Sequence, residues 1–118
     1  MEELHGHRWI QVDGLGLLTP VEPLGGIGHV VATTRTGGLS QPPYASLNLG
    51  SHVGDVPERV RLNRRRVLAV LGRKLHDPVV PAQVHGTRVH SVGMLHAGTR
   101  WEQGERALEG TDALITDA

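Results

Sequence analysis

Residues 9–12 form a short apolar, β-prone run closed by Asp13-Gly14, and residues 15–18 take the run up again at once. An Asp-Gly pair between two such runs predicts a β-hairpin with a tight turn. A third strand is predicted over 29–34, where Val30, Val31, Thr33 and Thr34 concentrate β-branched side chains. The glycine run before it, Gly25-Gly26-Ile27-Gly28, resembles half of a dinucleotide fingerprint, but a strand rather than a helix follows, so it is discounted. Residues 35–56 keep neither helical nor strand period. A segment that long without regular structure in a small domain is functional or disordered. Leu39, Tyr44, Leu47 and Leu49 give it side chains to bury, which favours an ordered loop and makes it a site candidate.

A helix is predicted next, with Asp55 as its cap, Pro57 in the first turn and Glu58 completing a capping box. It runs to Leu71, where Gly72 supplies the stop. At about 100° per residue, Val60, Val67 and Leu71 share one stripe, with Leu68 and Val70 on its flanks. Asn63 and Arg64 lie in the same arc, whereas Arg61, Arg65 and Arg66 fit a solvated face. Beyond the helix, strands are predicted over 82–85 and 87–92, a polar exposed connection over 93–110, and a final strand of buried type over 113–116. The chain shows no internal repeat and no domain boundary.

Composition narrows the chemistry. A chain of 118 residues suits one compact domain. With no Cys it holds no disulfide, no zinc knuckle and no cysteine nucleophile. Its 12 basic and 12 acidic residues cancel, so the footprint of a nucleic-acid binder is missing, and Trp9, Trp101 and Tyr44 are too few for a base-stacking platform. The core must be aliphatic, from 15 Leu, 14 Val and 3 Ile. The 16 Gly point to a turn-rich domain. No signal peptide opens the sequence and no apolar run approaches the roughly 20 residues of a membrane span, which points to the cytoplasm and away from membrane partners.

Eight His raise the question of metal. His85 and His90 are five apart, so a continuous strand would place them on opposite faces. His5 and His7 sit in the N-terminal stretch, and His52 lies in a glycine-flanked loop where its ring can line a pocket. No pair has the helical spacing of a zinc protease, so spacing alone predicts no complete metal site. Arg64 is the sharper anomaly. On an inward face it needs a polar or anionic receiver, or it must snorkel to a surface carboxylate. Asn63 beside it can pin a loop through backbone groups. Together they suggest a polar pocket under the 35–56 loop. Asp112 and Asp117 flank the last strand and read as turn and cap residues.

The ordered series Thr34-Arg35-Thr36-Gly37-Gly38-Leu39-Ser40, Pro43-Tyr44-Ala45-Ser46-Leu47-Asn48-Leu49-Gly50, His52-Val53-Gly54-Asp55, Asn63-Arg64, Gln83-Val84-His85-Gly86 and Thr111-Asp112-Ala113 resembles the YfiH family. Its members are also called laccase-domain or polyphenol oxidase proteins, and purine nucleoside phosphorylases. The resemblance implies an α+β fold with mixed β-sheets packed with helices. It also implies a zinc site of two His and one Cys, of which His85 matches the first ligand. It places Arg64 near the metal, and Asn48 and His52 in the loop that shapes the same pocket, so that Arg64, Asn48 and His52 become the active-site candidates. The implied substrates are purine nucleosides and phosphate, with phosphorolysis and adenosine deamination as the reactions.

The family's later Asp-Cys and His-Ala-Gly-Trp-Arg motifs, which carry its other ligands, are absent from this sequence. His96-Ala97-Gly98-Thr99-Arg100 precedes the Thr-Asp-Ala motif and lacks the Trp, so it does not stand in for the second. The resemblance therefore implies that residues 1–118 are the N-terminal portion of a single domain, with an incomplete fold. Zinc binding should then be weak, turnover small or nil, and self-association or pairing with a C-terminal half favoured. Two other readings stand beside it: a copper-dependent polyphenol oxidase and a non-enzymatic fragment or binding module.

Overall fold

The predicted hairpin forms around its Asp-Gly turn. In the computed structural model of the protein, which describes residues 3–4, 6–21, 30–75, 77–93 and 108–116, strands β2 (His7–Val12) and β3 (Leu15–Pro20) pair antiparallel from Val12↔Leu15 to His7↔Pro20. Asp13 and Gly14 both take positive φ, 51° and 83°, as a two-residue turn matched to the strand twist requires. Strand β1 (Glu3–Leu4) pairs with β2, and β4 (Ala32–Thr33) pairs with β3, giving an antiparallel sheet in the order β1-β2-β3-β4.

The third strand is shorter than the β-branched run predicts. Pairing stops at Leu17↔Thr33, because the hydroxyl of Thr34 donates to the Gly16 carbonyl at 2.7 Å and takes over the place of a ladder bond. The glycine run 25–28, His29, His5, Trp101, Asp117 and most of the polar connection, 94–107, lie outside the described residues.

Helix α1 (Pro57–Val70) is the one helix among the described residues. Its stop is as expected: Gly72 has φ 69°, its N–H reaches Ala69 at 3.0 Å, and the Arg73 N–H reaches Leu68 at 2.8 Å. Those paired bonds form a Schellman closure that satisfies carbonyls the helix end would leave open. The start departs from expectation. Val56 is the cap residue and no side chain caps the helix, because the Asp55 carboxylate is drawn into a loop network instead. Glu58 closes no capping box either; it pairs with Arg61 at 3.4 Å.

Burial follows the helical stripe over most of its length. Val60, Asn63, Arg64, Val67 and Leu68 are buried, but Leu71, past the last turn, is exposed. The core joins Leu15 and Leu17 of β3, Leu47 of the long loop and Val67 of α1, with Ile10, Val12, Val31, Leu49 and Val70 packed around them. It is aliphatic, and it ties hairpin, loop and helix into one unit. Leu39, one of the loop's expected anchors, stays exposed.

A second sheet has two parallel strands, β5 (Val89–Ser91) and β6 (Ala113–Ile115). The mixed antiparallel and parallel sheets and the helix agree with an α+β class. Residues 82–85 are not a strand: their amides are spent on Leu108 and on the Asp112 side chain, and His85 leaves the extended region at φ 59°. Nor is the last strand of buried type, since Val89 and Ile115 are each 60% exposed on one face of the pair. No helix among the described residues is long and apolar enough to cross a membrane.

Candidate functional site

The N-terminal half of α1 carries two adjacent polar residues inward. Asn63 is fully buried and uses its whole amide on the long loop. Its Oδ1 accepts from the Leu39 N–H at 2.8 Å, while Nδ2 donates to Ser40 Oγ at 2.9 Å, Asn48 O at 2.9 Å and Ser46 O at 3.3 Å. Asn63 is thus the loop pin that its position on the helix suggests. Arg64 does not snorkel to the surface: it is 6% exposed, and its Nε donates to the Leu49 carbonyl at 2.9 Å. Desolvation by burial lowers the guanidinium pKa from its ordinary value.

Asp55 closes the network from the other end of the loop. Its Oδ2 accepts from Ser40 Oγ at 2.5 Å and from Asn48 Nδ2 at 3.1 Å, and Oδ1 accepts from the Val56 N–H at 2.7 Å. The hydrogen bond from Ser40 does most to lower the carboxyl pKa; Asn48, Val56 and the charge of Arg59 add to it and outweigh the opposing desolvation. Asn48 spends its side chain inside the loop as well, donating to Gly50 O at 3.2 Å and accepting from the Gly50 N–H at 3.0 Å. His52 is exposed, its ring packed against Gly50, where a Cβ would meet Cε1 at 3.2 Å.

The Gly37-Gly38 pair is required by close approach. Gly37 has φ 102° and lies against Gly14 and Leu15, while a Cβ on Gly38 would collide with the Ser46 carbonyl. The loop also doubles back on Arg35, whose carbonyl accepts from Ser46 and Leu47 N–H at 2.9 and 3.0 Å. Arg66, expected to be merely solvated, donates to the Gly37 carbonyl at 2.6 Å.

Arg64, Asn48 and His52 therefore belong to one loop-and-helix unit. His85 stands on another. It is exposed at the tip of the loop 82–88, and hydrogen bonds to residues 108–112 hold that loop. Asp112 is more than the turn or cap residue expected. Its carboxylate accepts from the Val84 N–H at 3.0 Å and the Gly86 N–H at 2.9 Å, and the His85 N–H bonds to it as well. Desolvation pushes this carboxyl upward, but the backbone donors and the His85 charge prevail and hold it below its ordinary range. The roles of Ser40, Asp55 and Asp112 escape a reading by period or local spacing, because each has a side-chain partner 15 to 28 residues away. The motif series in which they stand was the only pointer to them.

Metal chemistry needs several ligands at one point. Among the described residues no group of three or more His, Cys, Asp or Glu side chains is placed to hold an ion. His85 offers one imidazole, so the described residues do not by themselves compose a zinc or copper site.

Residues 29–118 match the family described as multi-copper polyphenol oxidoreductase laccase. The chain is 43% identical over 86 residues to a purine nucleoside phosphorylase of Corynebacterium glutamicum, a match covering 73% of this chain and 32% of that protein. It is 52% identical over 88 residues to purine nucleoside phosphorylase YfiH of Escherichia coli, covering 74% and 36%. In structure it is similar to the Bacillus licheniformis hypothetical protein YfiH, with a TM-score of 0.78 and 30% identity over 98% of this chain and 41% of that one. YlmD from Geobacillus stearothermophilus gives 0.72 and 32%, over 100% and 40%. The chain spans about a third of the length of the curated relatives it matches.

Proposed function

The chain belongs to the multi-copper polyphenol oxidoreductase laccase family, whose relatives here bear the name purine nucleoside phosphorylase, and from that premise we propose that it supplies part of a nucleoside phosphorylase site. The observation that carries the reading is the buried guanidinium of Arg64, fixed at Nε by the Leu49 carbonyl beside the 48–55 loop. A guanidinium is a planar fork suited to phosphate, and desolvated surroundings strengthen its hold on an anion.

In this reading Arg64 binds phosphate. An oxygen of hydrogen phosphate forms a bond to the ribose C1′ as the bond from C1′ to the purine breaks, and the leaving base takes up the proton that the phosphate gives up. Asn48 positions the loop, with its amide committed to Gly50 and Asp55, and His52 stands at the exposed rim. His85 provides one metal-ligand imidazole, and the remaining zinc ligands come from parts of the family fold outside the matched third. Zinc binding by these 118 residues alone is then weak and turnover small or nil. Adenosine deamination is the second activity of the completed site, and the cytoplasm is its place.

The test has two arms. Purified chain with zinc chloride, inosine and phosphate should release little or no hypoxanthine; turnover comparable to a full-length relative would overturn the partial-site reading. Residues 29–118 grafted into Escherichia coli YfiH in place of its matching segment should restore phosphate-dependent release. Arg64→Lys in that chimera should raise the KM for phosphate more than that for inosine. Dye oxidation that depends on added copper, with no phosphate dependence, would favour the oxidase reading instead.

A further inference from the structure

The Thr111-Asp112-Ala113 motif lies directly under the His85 loop. Ala82 donates to Leu108 O at 2.8 Å and Thr111 donates to Ala82 O at 3.2 Å at one end of that loop, and Asp112 N donates to Arg88 O at 3.0 Å at the other. Thr111 itself is fully buried. Between these two closures the Asp112 carboxylate fills the loop from within, one oxygen on Val84 N–H and the other on Gly86 N–H. The fit is close: a Cβ on Gly86 would lie 3.2 Å from Oδ2.

At the apex His85 holds φ 59°, a left-handed conformation that a residue with a Cβ avoids. Such a conformation persists only where the surroundings over-determine it, and it gathers at functional positions. The imidazole is solvent-exposed, so packing of the ring does not explain it. The amides on either side of His85 are both held by Asp112.

We propose that Asp112 is the positioning residue of His85: by accepting the N–H groups of Val84 and Gly86 it locks the left-handed backbone at His85 and so sets where the imidazole projects. A shorter or uncharged side chain cannot engage both amides through two equivalent acceptor oxygens. The consequence for metal binding rests on the reading of His85 as a ligand; the positioning itself does not.

The experiment is NMR on the 118-residue chain, comparing the parent with Asp112→Ala and Asp112→Asn. The parent should show at His85 the strong intraresidue amide-to-Hα NOE of a positive φ, and slow exchange of the Val84 and Gly86 amides. Asp112→Ala should lose both signals while the Leu39 amide bonded to Asn63 keeps its shift, which separates local positioning from general unfolding. Should the alanine variant fail to fold, Asp112→Asn keeps the size and one acceptor, and should lose protection at one of the two amides and weaken the His85 NOE. A His85 NOE unchanged in either folded variant overturns the proposal. Titration with zinc chloride is the second readout: the His85 ring should respond in the parent and require roughly 10-fold more zinc in the variants. A ring that ignores zinc in the parent sinks the ligand reading alone, because the NOE decides the positioning claim separately.

Discussion

The side-chain oxygen of Asn63, on the inward face of α1, accepts the backbone N–H of Leu39 at 2.8 Å across 24 residues of chain. The same amide group's nitrogen reaches Ser40, Ser46 and Asn48. A loop of about twenty residues without regular structure would leave many backbone groups unpaired if it were buried without partners. Asn63 supplies those partners from one fixed point, which is why an irregular segment can be ordered against the helix that carries the buried Arg64.

Removal of that point should be costly. Asn63→Ala leaves the part-buried Leu39 N–H and Asn48 carbonyl without this partner, and should destabilise the fold by about 1–3 kcal/mol. Urea unfolding measures the loss. Hydrogen exchange should accelerate at Leu39 while the hairpin amides of β2 and β3 keep their protection relative to global stability.

Gly38→Ala should be as damaging for a different reason. The new methyl would occupy the place of the Ser46 carbonyl, which is backbone and cannot swing aside. The loop must shift, and Leu47, which it delivers to the core beside Leu15 and Val67, must shift with it. A fall of more than about 2 kcal/mol in urea is expected; a neutral substitution would show that the loop does not lie against itself as described.

Acid should loosen the same loop through Asp55. Its carboxyl is held below its ordinary 3.8 when folded, so the proton binds the unfolded chain more readily than the folded one. The contribution is fully present above the unfolded value and disappears as pH falls through the lower folded value. Stability measured between pH 6 and about 2.5 should therefore decline in the acid range. Asp55→Asn should flatten that decline, having lost part of the stability already at neutral pH.

Strain at His85 makes a prediction of opposite sign. His85→Gly relieves a left-handed conformation and removes only an exposed ring, so it should stabilise the chain by about 0.5–1 kcal/mol. Thermal or urea unfolding reads it. In the Escherichia coli chimera the same substitution should abolish turnover, a combination that distinguishes a residue kept for chemistry from one kept for folding. Destabilisation by His85→Gly would mean that the ring has packing partners which its exposure does not suggest.

Local features were legible wherever the cause is local. Asp13-Gly14 dictates its turn because the two positive φ angles belong to those two residues, and Gly72 ends α1 for the same kind of reason. The inward placement of Asn63 and Arg64 followed from helical period, since rotation per residue is a property of the helix itself. The Asp55 cap failed because capping is a competition. Ser40 and Asn48, 15 and 7 residues away, offer the carboxylate better bonds than the first turn does. The 82–85 strand failed because Asp112, far along the chain, takes the amides that a sheet neighbour would have used.

By itself, then, the sequence determined the turns, the helix with its polar inward pair, the absence of cysteine chemistry and, through its ordered motifs, the family. These depend on short-range sterics, on periodicity and on residue identity. The tertiary structure alone decided that Asn63 organises the long loop, that the Arg64 Nε is received by the Leu49 carbonyl, and that Asp112 grips the loop presenting His85. Each of those is a hydrogen bond between residues 15 to 28 positions apart, and no local pattern encodes which distant donor meets which acceptor once the chain has closed on its core.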